Sequence, residues 1–457
     1  MSSILTRLSA MRTRHAVVLI VGVGVIVYAL AGLVAGPSIQ GDTASYLTLA
    51  HLIGRGSLHG WDGLRTPGFP ILIWVADYHL SLIVVLQAAA IVAAAVLVYL
   101  SALSVCRARW IPLVGAVAFL CIPAVIDSSL TILTEGLSIF LVAVATYVLS
   151  RIEGDRSSGW SSLWWWLALS VDLALLALTR PNLAVLAFVV VLAYLIRWLR
   201  RSAGEASSGI RPYPSVALGS LMVIVMVGGS LLGWSAVDAA NTGFFGPSTL
   251  QGLSLANATC PLTTTALPEY HHVIVDSGFL AAERKYEAAG QGCVGAVFLA
   301  HLPRTSTAEL SRELSAMATS IITTHSGAYL GYAAGHVADE LVNASAYPHR
   351  SKSVAFHLPE TVLWLGLLAG SAVLVIARIR RRPIGAPFFL VVLTSASILS
   401  ALANALVDAP YTRQMVPLLP IAVAFDLMLI DLIVAGRFRA RGDREGATPL
   451  VGTAAKR

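Results

Sequence analysis

The sequence predicts an all-α integral membrane protein: about ten transmembrane helices, a first external loop carrying a surface helix, and one long, partly helical external loop. Three observations predict it. Of the 457 residues, 57% are hydrophobic and 12% charged, where a soluble domain carries about 25% charged residues. Apolar runs of about 20 residues, the length that spans a bilayer, recur along the chain. The basic residues cluster at the ends of those runs, as membrane topology requires, so the formal net charge of +7 does not point to nucleic acid.

Taken in order, the spans lie near 16–36, 80–104, 111–127, 134–150, 163–179, 182–198, 216–238, 358–377, 386–407 and 414–435. The first follows Arg12 and Arg14. Its apolar stretch of about 20 residues exceeds the usual 7–15 of a cleaved signal, so it is read as an uncleaved helix. With the N-terminus in the cytoplasm and ten alternating spans, 21 of the 31 basic residues fall inside, and the short outside loops hold Arg55, Arg65, Arg180 and Arg413. Both termini are therefore expected to be cytoplasmic, in a cell (plasma or inner) membrane. The chain divides into an N-terminal module of seven spans over 1–238, with the first external loop at 37–79. An extracytoplasmic loop region over 239–357, a three-span module over 358–436 and a cytoplasmic tail over 437–457 follow.

The first loop is the most informative stretch. It runs Gly41-Asp42-Thr43-Ala44-Ser45-Tyr46, then Leu49, Ala50 and Ile53. Tyr46, Leu49, Ala50 and Ile53 follow the i, i+3, i+4, i+7 spacing of one helix face, so a helix is expected along the membrane surface. Asp42 stands just before it. Its carboxylate either caps that helix or does chemistry at the bilayer surface, and the two roles can coexist. Arg65-Thr66-Pro67-Gly68-Phe69-Pro70 then enters a short apolar helix whose first turn tolerates proline. Arg65 is either an interfacial snorkel or a cation facing a phosphate.

Further along, Asp127 and Glu135 flank the second external turn, and Arg180 precedes Pro181 at the third. Each reads as a solvated or interfacial turn residue, or as a substrate ligand. Arg can bind a lipid phosphate bidentately. Asp172, Asp426 and Asp431 lie within apolar spans, where ionisable groups are functional candidates; Asp431 is close enough to the cytoplasmic end to be interfacial.

Several motifs exclude other chemistries. There is no CxxC, HExxH or GxSxG. Gly290 to Gly295 matches GxGxxG, but no strand precedes it, as a dinucleotide site needs. Cys106 and Cys121 lie in or beside apolar segments. Cys260 and Cys293 are the two cysteines of the long loop and are expected to form a disulfide in an oxidising compartment. Asn257-Ala-Thr and Asn343-Ala-Ser are glycosylation sequons there.

A cytoplasmic start, one span, an early acidic residue, a surface helix and then an R-x-P-G-[FY]-P segment together resemble the GT-C glycosyltransferase superfamily. The resemblance is to its glycosyltransferase 39 / protein O-mannosyltransferase-like and aminoarabinose-transferase-like group. Leu133-Thr134-Glu135, Thr179-Arg180-Pro181 and Asp408-Ala409-Pro410-Tyr411-Thr412-Arg413 add to it. The resemblance implies a membrane glycosyltransferase with a polyprenyl-phosphate sugar as donor. It implies a catalytic carboxylate in the first external loop, matching Asp42. Tyr46, Arg65, Asp127, Glu135, Arg180, Tyr411 and Arg413 are then expected to bind substrate. Asp42 is followed by Thr43 rather than a second acidic residue, and Arg413 by Gln414 rather than tyrosine. A divalent metal cofactor and the acceptor, a cell-envelope glycan, lipid or protein, therefore stay open. A transporter or lipid flippase, signalled by repeats and broken helices, and a non-catalytic membrane scaffold are the alternatives.

Overall fold

A computed structural model describes residues 11–154, 160–205, 214–259, 262, 268–270, 306–342, 354–379, 387–407 and 415–445. Tyr411, Arg413, Cys260, Cys293, Asn343 and the 290–295 segment lie outside the described residues.

The described residues are almost entirely helical. The membrane helices of the first half are α1 (Thr13–Ala35), α4 (Leu80–Leu103), α5 (Trp110–Leu120), α6 (Pro123–Leu130), α7 (Glu135–Gly154), α8 (Trp160–Thr179), α9 (Ala184–Glu205) and α10 (Pro214–Thr242). Between α1 and α4 lie the surface helix α2 (Thr43–Gly54) and the short α3 (Gly68–Val75). The long loop contributes α11 (Leu250–Thr259), α12 (Thr307–Thr324) and α13 (Ser326–Val342), and the last helices are α14 (Val354–Ile379), α15 (Phe388–Val407) and α16 (Leu419–Glu445).

Among the described residues, seven helices are long and apolar enough to cross a membrane, and eight if the bent pair α5–α6 counts as one. Thr361–Val373 and Phe388–Asn404 are shorter apolar stretches. The sequence reading placed one continuous span at 111–127. The structure breaks it: α5 and α6 meet at 52°. Pro123 is the cause. It sits at the start of α6 and Ile122 before it is extended, ψ 125°. Proline offers no N–H to the preceding turn and pushes its predecessor out of the α region.

By alternation along the chain, one end of the bundle, the loop face, carries 36–79, 131–134, 180–183 and the described residues that follow α10. At the opposite end two carboxylates tie the two halves of the chain together. Asp431 accepts from the backbone N–H groups of Arg107 (2.9 Å) and Ala108 (3.0 Å). Glu153 accepts from Phe388 (3.0 Å) and Phe389 (2.8 Å) at the start of α15, with Arg197 at 3.5 Å. Each satisfies N–H groups that a helix start or tight turn leaves without a partner.

A helix forms where the spacing predicts one, over Thr43–Gly54. Tyr46, Leu49 and Ala50 are buried, and Leu49 joins a second apolar core that is separate from the bundle. The other members are Trp61 and Leu64 from the first loop, Leu253 and Ala256 from α11, and Leu310, Leu314, Met317 and Ile321 from α12. The amphipathic stretch at 306–324 is thus helix α12, capped by the Ser306 hydroxyl, which accepts from Glu309 N–H at 3.2 Å. Its apolar face packs on α11 and, through it, roofs the first loop. The loop is pinned there by Thr249 N–H to the Gly63 carbonyl (2.8 Å) and by the Ser248 hydroxyl to the Leu64 carbonyl (2.7 Å). Gly63 has φ +77°, and a Cβ on it would meet Thr249 Cγ2 at 2.5 Å and the Asp238 carboxylate at 2.9 Å. Both the backbone twist and the close approach demand glycine there.

Asn257 and Thr259 of the sequon sit inside this roof. Both are buried, and the Thr259 hydroxyl is turned back onto the carbonyls of Leu255 and Ala256.

Candidate active site

Two carboxylate–arginine pairs lie on the loop face, and the backbone around them links the segments that carry them. Ser38, after the end of α1, bridges to Thr131: its N–H donates to Leu130 O at 2.8 Å, and Ile132 N–H donates to Ser38 O at 3.1 Å. The Thr43 hydroxyl then donates to Ile132 O at 3.1 Å. These bonds fasten the start of α2 to the turn that leads into α7 and Glu135. On the other flank the Thr66 hydroxyl reaches Thr179 O at 3.4 Å, beside Arg180. Gly68 permits that approach, since a Cβ there would lie 2.8 Å from both the Leu178 carbonyl and the Thr179 nitrogen.

The first pair is Asp42 and Arg65. Asp42 occupies the N-cap position of α2 but makes no side-chain capping bond. Its Oδ1 instead accepts from Arg65 Nη2 at 2.6 Å. Arg65 is held from three sides. Its Nε donates to the Ser45 hydroxyl at 2.8 Å, and that hydroxyl donates on to the Asp42 carbonyl at 2.8 Å. Its guanidinium lies 4.7 Å from the centre of the Tyr46 ring, close enough for a cation–π contact. Tyr46 in turn is wedged edge-on against Phe69 at 5.3 Å. The Asp42 side chain keeps 30% of its exposure and Arg65 only 14%, so the carboxylate is the more accessible partner.

The second pair is Glu135 and Arg180, with Arg180 Nη2 at 3.2 Å from Glu135 Oε1 and side-chain exposures of 10% for the arginine and 2% for the glutamate. Glu135 opens α7 and Arg180 closes α8, so two neighbouring helix ends supply them. Past Pro181, Asn182 donates through Nδ2 to Asn404 Oδ1 on α15 at 3.1 Å.

Of the residues singled out by sequence, Asp42, Tyr46 and Arg65 make one group and Glu135 and Arg180 another. Asp127 is buried on α6, where its carbonyl accepts from Thr131 N–H at 3.0 Å at the turn that Ser38 bridges. Ser45, Thr43, Thr66, Asn182 and Asn404 were not singled out. Ser45 lies inside the quoted loop motif and could have been found there; nothing in the sequence marks Asn404.

Nearby, Asp62 accepts from Leu64 N–H at 3.1 Å. Burial pushes its carboxyl above the usual carboxylate range, against the lowering effect of its backbone hydrogen bonds and of Arg65. The described residues bring together no group of three or more His, Cys, Asp or Glu side chains that could hold a metal ion. Asp42 and Glu135 each face an arginine rather than another carboxylate.

Comparison with solved structures bears on the fold. The apo crystal structure of the Archaeoglobus fulgidus oligosaccharyltransferase superposes with a TM-score of 0.52 at 13% identity, over 96% of this chain and 53% of that one. The likeness is to the fold of that structure's membrane half. The archaeal oligosaccharyltransferase AglB of the same organism, in complex with an inhibitory peptide and a dolichol-phosphate, gives a TM-score of 0.49 at 13% identity, over 97% of this chain and 52% of that one. The chain thus spans about half the length of either structure. No family model and no curated protein matches the sequence. At 13% identity the likeness is one of fold, and the chemistry has to be argued from the paired charges on the loop face.

Proposed function

We propose that the protein is a membrane glycosyltransferase that moves a sugar from a polyprenyl-phosphate donor to an extracytoplasmic acceptor. The observation that carries this reading is the Asp42–Arg65 pair on the loop face of a GT-C-type fold, its carboxylate accessible and its arginine fixed. Nucleotide sugars are cytoplasmic. A transferase working across the membrane needs a donor that already sits at the far surface, and a sugar on a lipid phosphate is one.

In the proposed step the acceptor hydroxyl oxygen attacks the anomeric carbon. Its proton passes to the Asp42 carboxylate, which acts as general base. The bond from the anomeric carbon to the phosphate oxygen breaks, and the phosphate leaves with the electron pair. The ion pair couples these events. When Asp42 accepts the proton its charge disappears, and Arg65 becomes a net cation as negative charge develops on the phosphate. Fixed cations aimed at developing charge are among the strongest means an enzyme has of lowering a barrier. Tyr46 and Ser45 hold Arg65 in place for it. We propose Arg413, which lies outside the described residues, as a second cation for the phosphate; Arg180, balanced by Glu135, is left to the sugar. With ten spans, the distribution of basic residues supports both termini in the cytoplasm and the loop face outside.

The test is transfer by the purified protein in liposomes. With a labelled polyprenyl-phosphate pentose or hexose and a cell-envelope extract as acceptor, label should move to the acceptor and polyprenyl phosphate should accumulate. Absence of both products across the donor panel, with the protein folded, would overturn the reading. Alkaline-phosphatase fusions near Asn257 should be active and fusions after Arg439 inactive.

A further inference from the structure

Two buried N–H groups at the second ion pair have no hydrogen-bond partner among the described residues: Nη1 of Arg180 and Nδ2 of Asn404. Both residues are at least nine-tenths buried, at 9% and 4% exposure. They belong to one corner of the bundle. Arg180 and Asn182 flank Pro181 at the start of a single 3-10 turn, that turn packs on α15, and Asn182 holds the Asn404 carbonyl oxygen at 3.1 Å. That bond fixes the amide and turns its NH2 group away from Asn182. One helical turn earlier on α15, the Ser400 hydroxyl is also buried without a partner among the described residues. A buried donor left unsatisfied costs about 1–3 kcal/mol, and native structures keep such groups chiefly where a ligand or water completes them.

The charge balance says what kind of ligand. Arg180 is already neutralised by Glu135 at 3.2 Å. Adding a full anion beside a buried, balanced pair leaves a net buried charge, which is strongly unfavourable. A neutral oxygen that accepts two N–H bonds and donates one O–H fits instead: Arg180 Nη1 and Asn404 Nδ2 donate to it, and Ser400 Oγ accepts from it. A sugar hydroxyl has that combination. The Thr66–Thr179 contact joins this corner to the loop that carries Arg65.

We infer that Arg180, Asn404 and Ser400 form a subsite for a hydroxyl of the donor's sugar ring, with Asn404 as a specificity-determining residue. This rests on the donor reading above, and the experiment separates the two. Binding of decaprenyl phosphate and of decaprenyl-phosphoryl mannose and arabinose is measured on protein in nanodiscs, for wild type, Asn404→Ala and Asn404→Asp. Asn404→Asp keeps the size and an oxygen toward Asn182, and serves if the alanine variant does not fold.

The expected result is that the wild type binds at least one sugar-bearing lipid more tightly than decaprenyl phosphate. The Asn404 variants should lose about three- to tenfold of that preference, the worth of one neutral hydrogen bond, with affinity for decaprenyl phosphate unchanged. Equal loss for sugar-bearing and sugar-free lipid would place the contact on the phosphate and overturn the inference. So would an unaltered preference. If the wild type binds none of the three lipids, the donor reading itself falls, and this subsite with it.

Discussion

The Asp42 carboxylate accepts from Arg65 Nη2 at 2.6 Å, although Asp42 stands at the N-cap of α2 and makes no capping bond. An aspartate in that position ordinarily spends its oxygens on the first N–H groups of its own helix. Here it turns to a cation from a later segment of the same loop, and in the proposed step that partner is what makes it useful.

Asp42→Asn separates base from scaffold. Asparagine retains the shape and one acceptor oxygen for Arg65 but cannot take a proton. Transfer should fall about 100-fold or more, with elution as a single species in detergent unchanged. A folded variant with normal turnover would refute the assignment.

Tyr46 should act through its ring rather than its hydroxyl, because the ring is what Arg65 lies over and what Phe69 braces. Tyr46→Phe is therefore expected to retain near-normal kcat/KM. Tyr46→Leu removes a contact worth about 0.5–2 kcal/mol and should lower kcat more than it raises KM. If Tyr46→Phe is as impaired as Tyr46→Leu, the hydroxyl touches substrate and this role is wrong.

Breaking the buried pair should cost stability before anything else. Glu135→Gln leaves Arg180 uncompensated among buried neighbours, a loss of about 3–5 kcal/mol, read as a lower thermal midpoint in detergent. The double variant Glu135→Gln/Arg180→Met should recover much of it. No recovery would mean the two residues are not coupled.

Asp62 gives a pH signature. Burial raises its carboxyl above the usual value, so the folded protein binds that proton more tightly than the unfolded chain does. The stability this contributes is complete below the unfolded value of about 4 and is lost as pH rises through the raised value. Asp62→Asn removes the ionisation but retains an oxygen for Leu64 N–H. Its thermal midpoint should fall less than that of wild type as pH rises above about 4. A variant curve at least as steep as wild type would show that Asp62 does not titrate there.

Gly68→Ala should loosen the site from a distance. The added methyl would meet the Leu178 carbonyl and the Thr179 nitrogen, so the segment carrying Arg65 must back away from Arg180. Overpacking of this kind costs about 1–3 kcal/mol. Transfer should drop while Gly41→Ala, where a Cβ would meet nothing and the backbone is not left-handed, leaves it higher. Equal activity of the two variants would argue that the loop need not be close to α8.

Much of this was readable in the sequence, and for physical reasons. The apolar face of α2 shows because one helix face repeats locally, and the lone early aspartate shows because few charges exist in so apolar a chain. What pairs with what was not readable. Arg65 finds Asp42, and Arg180 finds Glu135, through turns whose contacts are set by Thr43 and Thr66, two hydroxyls that look like any others. The break in the span at 111–127 was written in Pro123, but an apolar proline within an apolar run is often absorbed by neighbouring helices. Asp431 reads as interfacial and is buried at 3% exposure, because the backbone it holds comes from a distant part of the chain. Asn404 was invisible, since its meaning lies in an amide left over after Asn182 has taken the other half.

The buried sequon at Asn257 has a practical consequence. In a host that glycosylates the loop face, a sugar-transferring complex can reach this asparagine only before α11 and α12 close over the first loop. Occupancy at Asn257 would then act as a clock, recording how long each nascent molecule remains open, and a slow-closing variant would betray itself by a heavier band on a gel.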